Sequence, residues 1–119
     1  MTYAFKQVIV VRRDLGMRAG KTAAQVAHAA VAGTYRAAAE HPEWFSGWWA
    51  DGQPKVVVQV AGEADLAAVG EAARAAGLPV ALIRDRGLTQ VPAGTATCVA
   101  IGPAPAERVD AVTGGLRLL

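Results

Sequence analysis

Cysteine is almost missing from this chain. Cys98 stands alone inside the apolar run TATCVAI, which rules out an intrachain disulfide and a thiolate metal cluster and predicts a buried, inert thiol. The two histidines, His28 and His41, lack zinc-ligand spacing, so no structural or catalytic metal is expected. Long apolar runs are missing too. VIVV near the amino terminus is far shorter than a signal-peptide core or a membrane span, so the expectation is a cytoplasmic protein with no membrane partner. Aromatic residues make up 6% of the chain, which predicts a core of small aliphatic side chains with helices lying close on a sheet. Strong net charge is absent as well, and a balance of +2 does not by itself point to nucleic acid.

What is present fits one α/β domain spanning 1–119. A chain of 119 residues with 53% hydrophobic composition is large enough for one core and too short for two. The run from Phe5 to Val11 reads as a central strand, and an alanine-rich helix follows Gly20, with Ala23, Ala27, Ala30 and Thr34 on one face. A short amphipathic turn or helix carries Trp44, Phe45, Trp48 and Trp49, which read as a lid on the core. Lys55 to Val60 is a second strand and Ala64 to Ala76 a helix. Val80 to Ile83 and Thr95 to Ile101 are two further strands, and a last helix runs from near Pro105 to Gly114 and Gly115. The expected order is βαβαββα, a mixed four-stranded sheet with helices on both faces.

Charged chemistry gathers at strand ends, where ligands bind in open α/β sheets. Asp14 follows the first strand. Lys21, Gln25 and His28 share one stripe of the first helix, either as a site or as a solvated face. Gly20 permits close backbone approach, and the helix start with Lys21 favours an anion. GMRAGKT is one residue short of a phosphate loop, which disfavours a nucleotide triphosphatase. No serine or cysteine has the local motif of a nucleophile, and His28 taken alone reads as structural. Asp85 directly follows the third strand and is the better carboxylate candidate. The other reading is an ion pair with Arg84 or Arg86 or a turn cap, and Asp14 beside Arg12 and Arg13 has the same two readings. Thr95 and Thr97 share a sheet face, where they either meet a ligand or simply suit β geometry. Lys6, Arg12, Arg13, Arg18 and Lys21, with Arg84 and Arg86 beside Asp85, would together form a phosphate-attracting surface if their segments converge.

Five spaced blocks, KQVIVVRRDLGM, GKTAAQVAHAAV, WADGQPKVVVQV, GLPVALIRDRGLTQVPAG and IGPAPAERVDAVTGGLRLL, resemble the type 2 peptidyl-tRNA hydrolase family from Lys6 to Leu119. The resemblance implies a cofactor-independent enzyme that cleaves the ester joining a peptide to the 3′-terminal ribose of tRNA. It also implies a mixed four-stranded α/β fold, often dimeric, so a homodimer is expected. The family's functional lysine, glutamine and histidine fall on Lys21, Gln25 and His28. Its aspartate and threonines fall on Asp85, Thr89 and Thr97, and Asp14 matches the aspartate after the first strand. The mechanism expected from this is that Asp85 orients or deprotonates water, Lys21 stabilises the oxyanion or leaving oxygen, and Thr89 or Thr97 holds the acyl group. Arg12, Arg13, Arg18 and Arg86, with Gly20 and Gln25, would meet the 3′ end and phosphate backbone. The chain departs from the family in reading DRGLTQ in place of a sequence nearer DAGRTQ, with Leu88 where a positive charge is expected. It also has Arg18 and Ala19 before the GK pair, and Gly115 near an expected histidine. Two alternatives stand beside the hydrolase: a non-catalytic RNA-binding or interaction module, and a hydrolase of related aminoacyl esters.

Overall fold

In the computed structural model, residues 3–87 and 91–119 are described. β1 (Phe5–Arg12) is the β-branched run read from the sequence, and its alternating side chains feed two separate cores. Val8 and Val10 face α3 (Glu63–Ala75) and α4 (Ala106–Thr113) through Leu66, Ala73 and Val109. Ile9 and Val11 face α1 (Ala19–Glu40) through Ala29. Period-2 alternation in a strand covered on both sides thus puts helices on both faces, as expected.

β2 (Lys55–Val60) pairs parallel with β1, while β4 (Ala96–Pro105) pairs antiparallel with β1 and with β3 (Val80–Arg84). The sheet differs from expectation in having five strands, ordered β3-β4-β1-β2-β5. β5 is the pair Arg117–Leu118, added antiparallel to β2 after α4. A two-residue strand has no periodicity to detect. The segment after His41 folds as a separate helix, α2 (Pro42–Ala50), with proline in its first turn. The element order is therefore βααβαββαβ. Of the aromatic group on α2, Trp48 is buried and its indole N–H donates to the Pro54 carbonyl at 2.7 Å, whereas Trp49 lies exposed.

The face of α1 that meets the sheet also differs from expectation. Gln25, Ala29, Gly33 and Ala37 are its buried stripe, while Ala23 and Ala27 are exposed. Gly33 sets the approach. A Cβ there would lie 3.0 Å from both Ala100 Cβ and the Gly102 carbonyl and 2.9 Å from the Gln7 amide nitrogen, so only glycine lets the helix come this close. That contact turns the Gln25 side of α1 toward β4 and β3, and the candidate site follows from it.

Candidate active site

Two chain segments meet at the carboxyl end of β3. Lys21, in the first turn of α1, is ion-paired to Asp85, the residue after β3, across 64 positions of sequence. Both side chains are largely withdrawn from solvent, at 9% and 3% exposure. The other Asp85 oxygen accepts the Gly87 backbone N–H at 2.7 Å. Its main chain is pinned as well, with its N–H donating to the Thr95 carbonyl and its carbonyl accepting from Gly94, each at 2.8 Å. Gly87, at φ +83°, allows this turn, because a Cβ there would strike Ala93 at 2.5 Å. The Lys21 hydrogen bond, aided by the Gly87 N–H, holds the Asp85 carboxyl below its ordinary range against the opposing effect of burial. The group is thus a carboxylate at neutral pH, and its partner is Lys21 in place of Arg84 or Arg86.

The pair opens onto a cleft of about 810 Å³ between α1 and β3, lined by Gly20, Lys21, Gln25, His28, Asp85 and Arg86 among others. Gln25 is buried at its floor. The Thr97 hydroxyl donates to the Gln25 side-chain oxygen at 2.5 Å, and Cys98 Sγ–H donates to the Gln25 main-chain carbonyl at 3.3 Å. With its oxygen taken by Thr97, Gln25 has its NH₂ group left to offer a ligand. Thr97 is fully buried. It sits under the cleft wall, so its hydroxyl holds Gln25 where an acyl group was expected. His28 is an exposed residue of the cleft wall one turn further along α1. Cys98 is buried, as expected, with burial pushing its thiol up to about 11.

Asp14 and Arg12 are occupied elsewhere. The Arg12 guanidinium donates to both Asp14 oxygens at 3.0 and 2.8 Å and to the Ala96 carbonyl at 3.0 Å, and it lies 3.5 Å from Glu63. Its side chain is mostly covered, and it ties β1 to β4 and α3. Arg13, Arg18 and Arg86 are exposed. Thr89 and Leu88 lie outside the described residues. Arg84 was read from the sequence as an ion partner of Asp85 and as part of a basic face. It lines the cleft, and its guanidinium donates to the Gly94 carbonyl at 3.0 Å. Among the described residues no three His, Cys, Asp or Glu side chains gather as metal ligands, and no helix is long and apolar enough to cross a membrane.

The family described as Peptidyl-tRNA hydrolase PTH2 matches residues 5–119. The chain belongs to this family. A curated relative from Thermococcus onnurineus, named peptidyl-tRNA hydrolase, is 50% identical over 98% of this chain and 99% of its own length. One of the same name from Staphylothermus marinus is 51% identical over 97% of this chain and 95% of its own. A third, from Methanocaldococcus jannaschii, is 46% identical over 96% and 99%. Within this PTH2 chain the Lys21–Asp85 pair joins two of the blocks on which the resemblance rested. The cleft they open is the place to look for ester chemistry.

Proposed function

We propose that this chain hydrolyses the ester between a peptide and the 3′-terminal ribose of tRNA, without metal or cofactor, at the Lys21–Asp85 cleft. One observation carries the reading: a buried carboxylate and ammonium, drawn from distant segments, meet at an open cleft in a PTH2 chain. Their roles follow from charge. A carboxylate held below its ordinary range is a weak base, so Asp85 acts chiefly by orienting the attacking water and balancing charge, with proton removal completed as the C–O bond forms. The Lys21 ammonium and the Gln25 NH₂ stabilise the oxyanion of the tetrahedral intermediate. As that intermediate collapses, the ester C–O bond breaks and the ribose 3′ oxygen leaves with the proton that Asp85 took from the attacking water. Thr97 is a positioning residue acting through Gln25, and His28 binds substrate at the cleft wall. Thr89 is assigned to acyl binding on the resemblance alone.

Exposed Arg13, Arg18 and Arg86 supply phosphate contacts that do not depend on sequence, which suits a substrate carrying any tRNA. The protein acts in the cytoplasm as a single domain over 1–119 and pairs as a homodimer. The dimer is supported by an apolar groove along α1 and α2 lined by Ala23, Ala27, Val31, Tyr35 and Trp49, of which Val31, Tyr35 and Trp49 are exposed. The function is tested by offering N-acetylated and free aminoacyl-tRNA to the purified protein. Cleavage of the blocked substrate alone is expected. Equal cleavage of both would make it a general aminoacyl-ester hydrolase, and binding without cleavage would make it an RNA-binding module.

A further inference from the structure

The cleft does not stop at Asp85. It continues along the outer edge of β3 into a second hollow of about 390 Å³ lined by Ala32, Tyr35, Arg36, Ala39, Ala81 and Leu82, and the two share Ala32 and Leu82. Among the described residues β3 is an edge strand, and its hydrogen-bonding parity can be read at both ends. Gly102 N–H donates to the Pro79 carbonyl at 2.9 Å, and Asp85 N–H donates to the Thr95 carbonyl at 2.8 Å. Bonding alternates along an antiparallel ladder, and the register shift between Ile83 and Arg84 takes its extra residue, Thr97, from β4, so the alternation along β3 is unbroken. The odd residues Ala81 and Ile83 therefore direct their main-chain groups at β4, and Leu82 and Arg84 direct theirs away from the sheet. Both are exposed, and small Ala24 and Ala32 on the facing side of α1 leave room beside them. An exposed edge of this kind is a template for another strand.

We propose that the free edge of β3 binds the peptide moiety of the substrate as an added parallel strand. The inference rests on the hydrolase reading, which fixes the direction of the guest. The esterified carbonyl must lie at Asp85, and β3 runs toward Asp85, so the peptide runs the same way. In parallel pairing, the peptide residue opposite Ile83 donates its N–H to the Leu82 carbonyl and accepts from the Arg84 N–H. The residue opposite Ala81 accepts from the Leu82 N–H. At about 3.3 Å per residue, the groove accommodates roughly three or four residues before the guest passes Leu82. Recognition through the main chain suits a substrate whose side chains vary, because every peptide carries the same N–H and C=O groups.

The test uses the wild-type protein and a series of tRNAs bearing N-acetylated chains of one to five residues, followed by a scan in which each peptide nitrogen is methylated in turn. Each main-chain bond gained or lost is expected to change kcat/KM by about three- to tenfold. The benefit should level off near four residues, and methylation should hurt at alternate nitrogens only. Leu82→Pro removes one outward donor and keeps the bonds to β4, so it should compress the ratio of long- to short-peptide cleavage. Equal kcat/KM at all lengths with a flat methylation profile would overturn the edge proposal and leave the hydrolase reading intact. Failure to cleave any member of the series would overturn the hydrolase reading itself. A Leu82→Pro protein altered in oligomeric state, with its length preference unchanged, would assign the edge to a second copy of the chain and overturn the proposal.

Discussion

Asp14 and Asp85 invite comparison because they begin from the same design. Each stands just past the carboxyl end of a strand, and each is held below the ordinary carboxylate range by a hydrogen-bonded cation, Arg12 for Asp14 and Lys21 for Asp85. They differ in where the cation comes from. Arg12 is two residues away, and the Asp14 side chain is 42% exposed, so that pair is a local clamp at a strand end. Lys21 comes from another element, and the Asp85 pair forms only when α1 docks on β3 and β4. Depressed carboxylates are thus no guide to function by themselves. What separates the two is a long-range partner, withdrawal from water and a cleft in front.

The two carboxylates part furthest at Lys21. Lys21→Met removes the charge assigned to the oxyanion, and kcat is expected to fall by about 10²- to 10³-fold, the usual cost of losing such a donor. It also releases Asp85 from its main depressing influence, so the acid limb of residual activity should move to higher pH in a pH–rate profile. An unchanged acid limb would mean that Asp85 is held by other groups. Thr97→Val comes next. It removes the hydroxyl beneath Gln25 while keeping the side-chain shape, and kcat should fall about tenfold with KM little changed, Thr97→Ser restoring much of the loss. Equal loss in both variants would reduce Thr97 to packing.

Acid acts on both carboxylates. Both carboxylates titrate lower in the folded chain than in the unfolded one, so their stabilisation is complete above about pH 4 and is lost as pH falls through the depressed folded values. Denaturant midpoints measured from pH 6 downward should hold until that range and then drop, and the drop should be smaller in Asp14→Asn. The smallest effect belongs to Asp14→Asn at neutral pH. An ion pair this exposed contributes about 0.2–1 kcal/mol, so its chemical-denaturation midpoint should shift only slightly.

Much of the fold was legible because its elements carry strong local signals. The β-branched runs of β1 and β2 and the alanine-rich window of α1 announce themselves, and Gly77 and Pro79 mark the end of α3. The rotation of α1 was not legible. When a helix is alanine on nearly every side, Ala23 and Ala27 look as fit for burial as Ala29 and Ala37, and hydrophobic periodicity cannot choose. The deciding residue was Gly33, whose missing Cβ makes room for Gln7 and Ala100. Its absence from the expected face also explains why Gln25 was read beside Lys21 and His28 on an outer stripe. Lys21 and Asp85 were each singled out by their position after a strand or at a helix start, and the resemblance placed them in one site. Their contact depends on a docking 64 residues apart in sequence, which spacing does not encode. The clamp that Arg12 makes was not legible, because a guanidinium near a strand end suits phosphate as well as it suits the Asp14, Ala96 and Glu63 oxygens that hold it.

The central claim is that the distant pair is chemical and the local pair is structural. It is tested most directly by single-turnover cleavage of N-acetyl-aminoacyl-tRNA by Asp85→Asn and Asp14→Asn side by side, with tRNA affinity measured on the same preparations. The account predicts that Asp85→Asn binds tRNA nearly as wild type but cleaves at least about a hundredfold more slowly, while Asp14→Asn cleaves within about threefold of wild type. A folded Asp85→Asn protein that cleaves at the wild-type rate would contradict it.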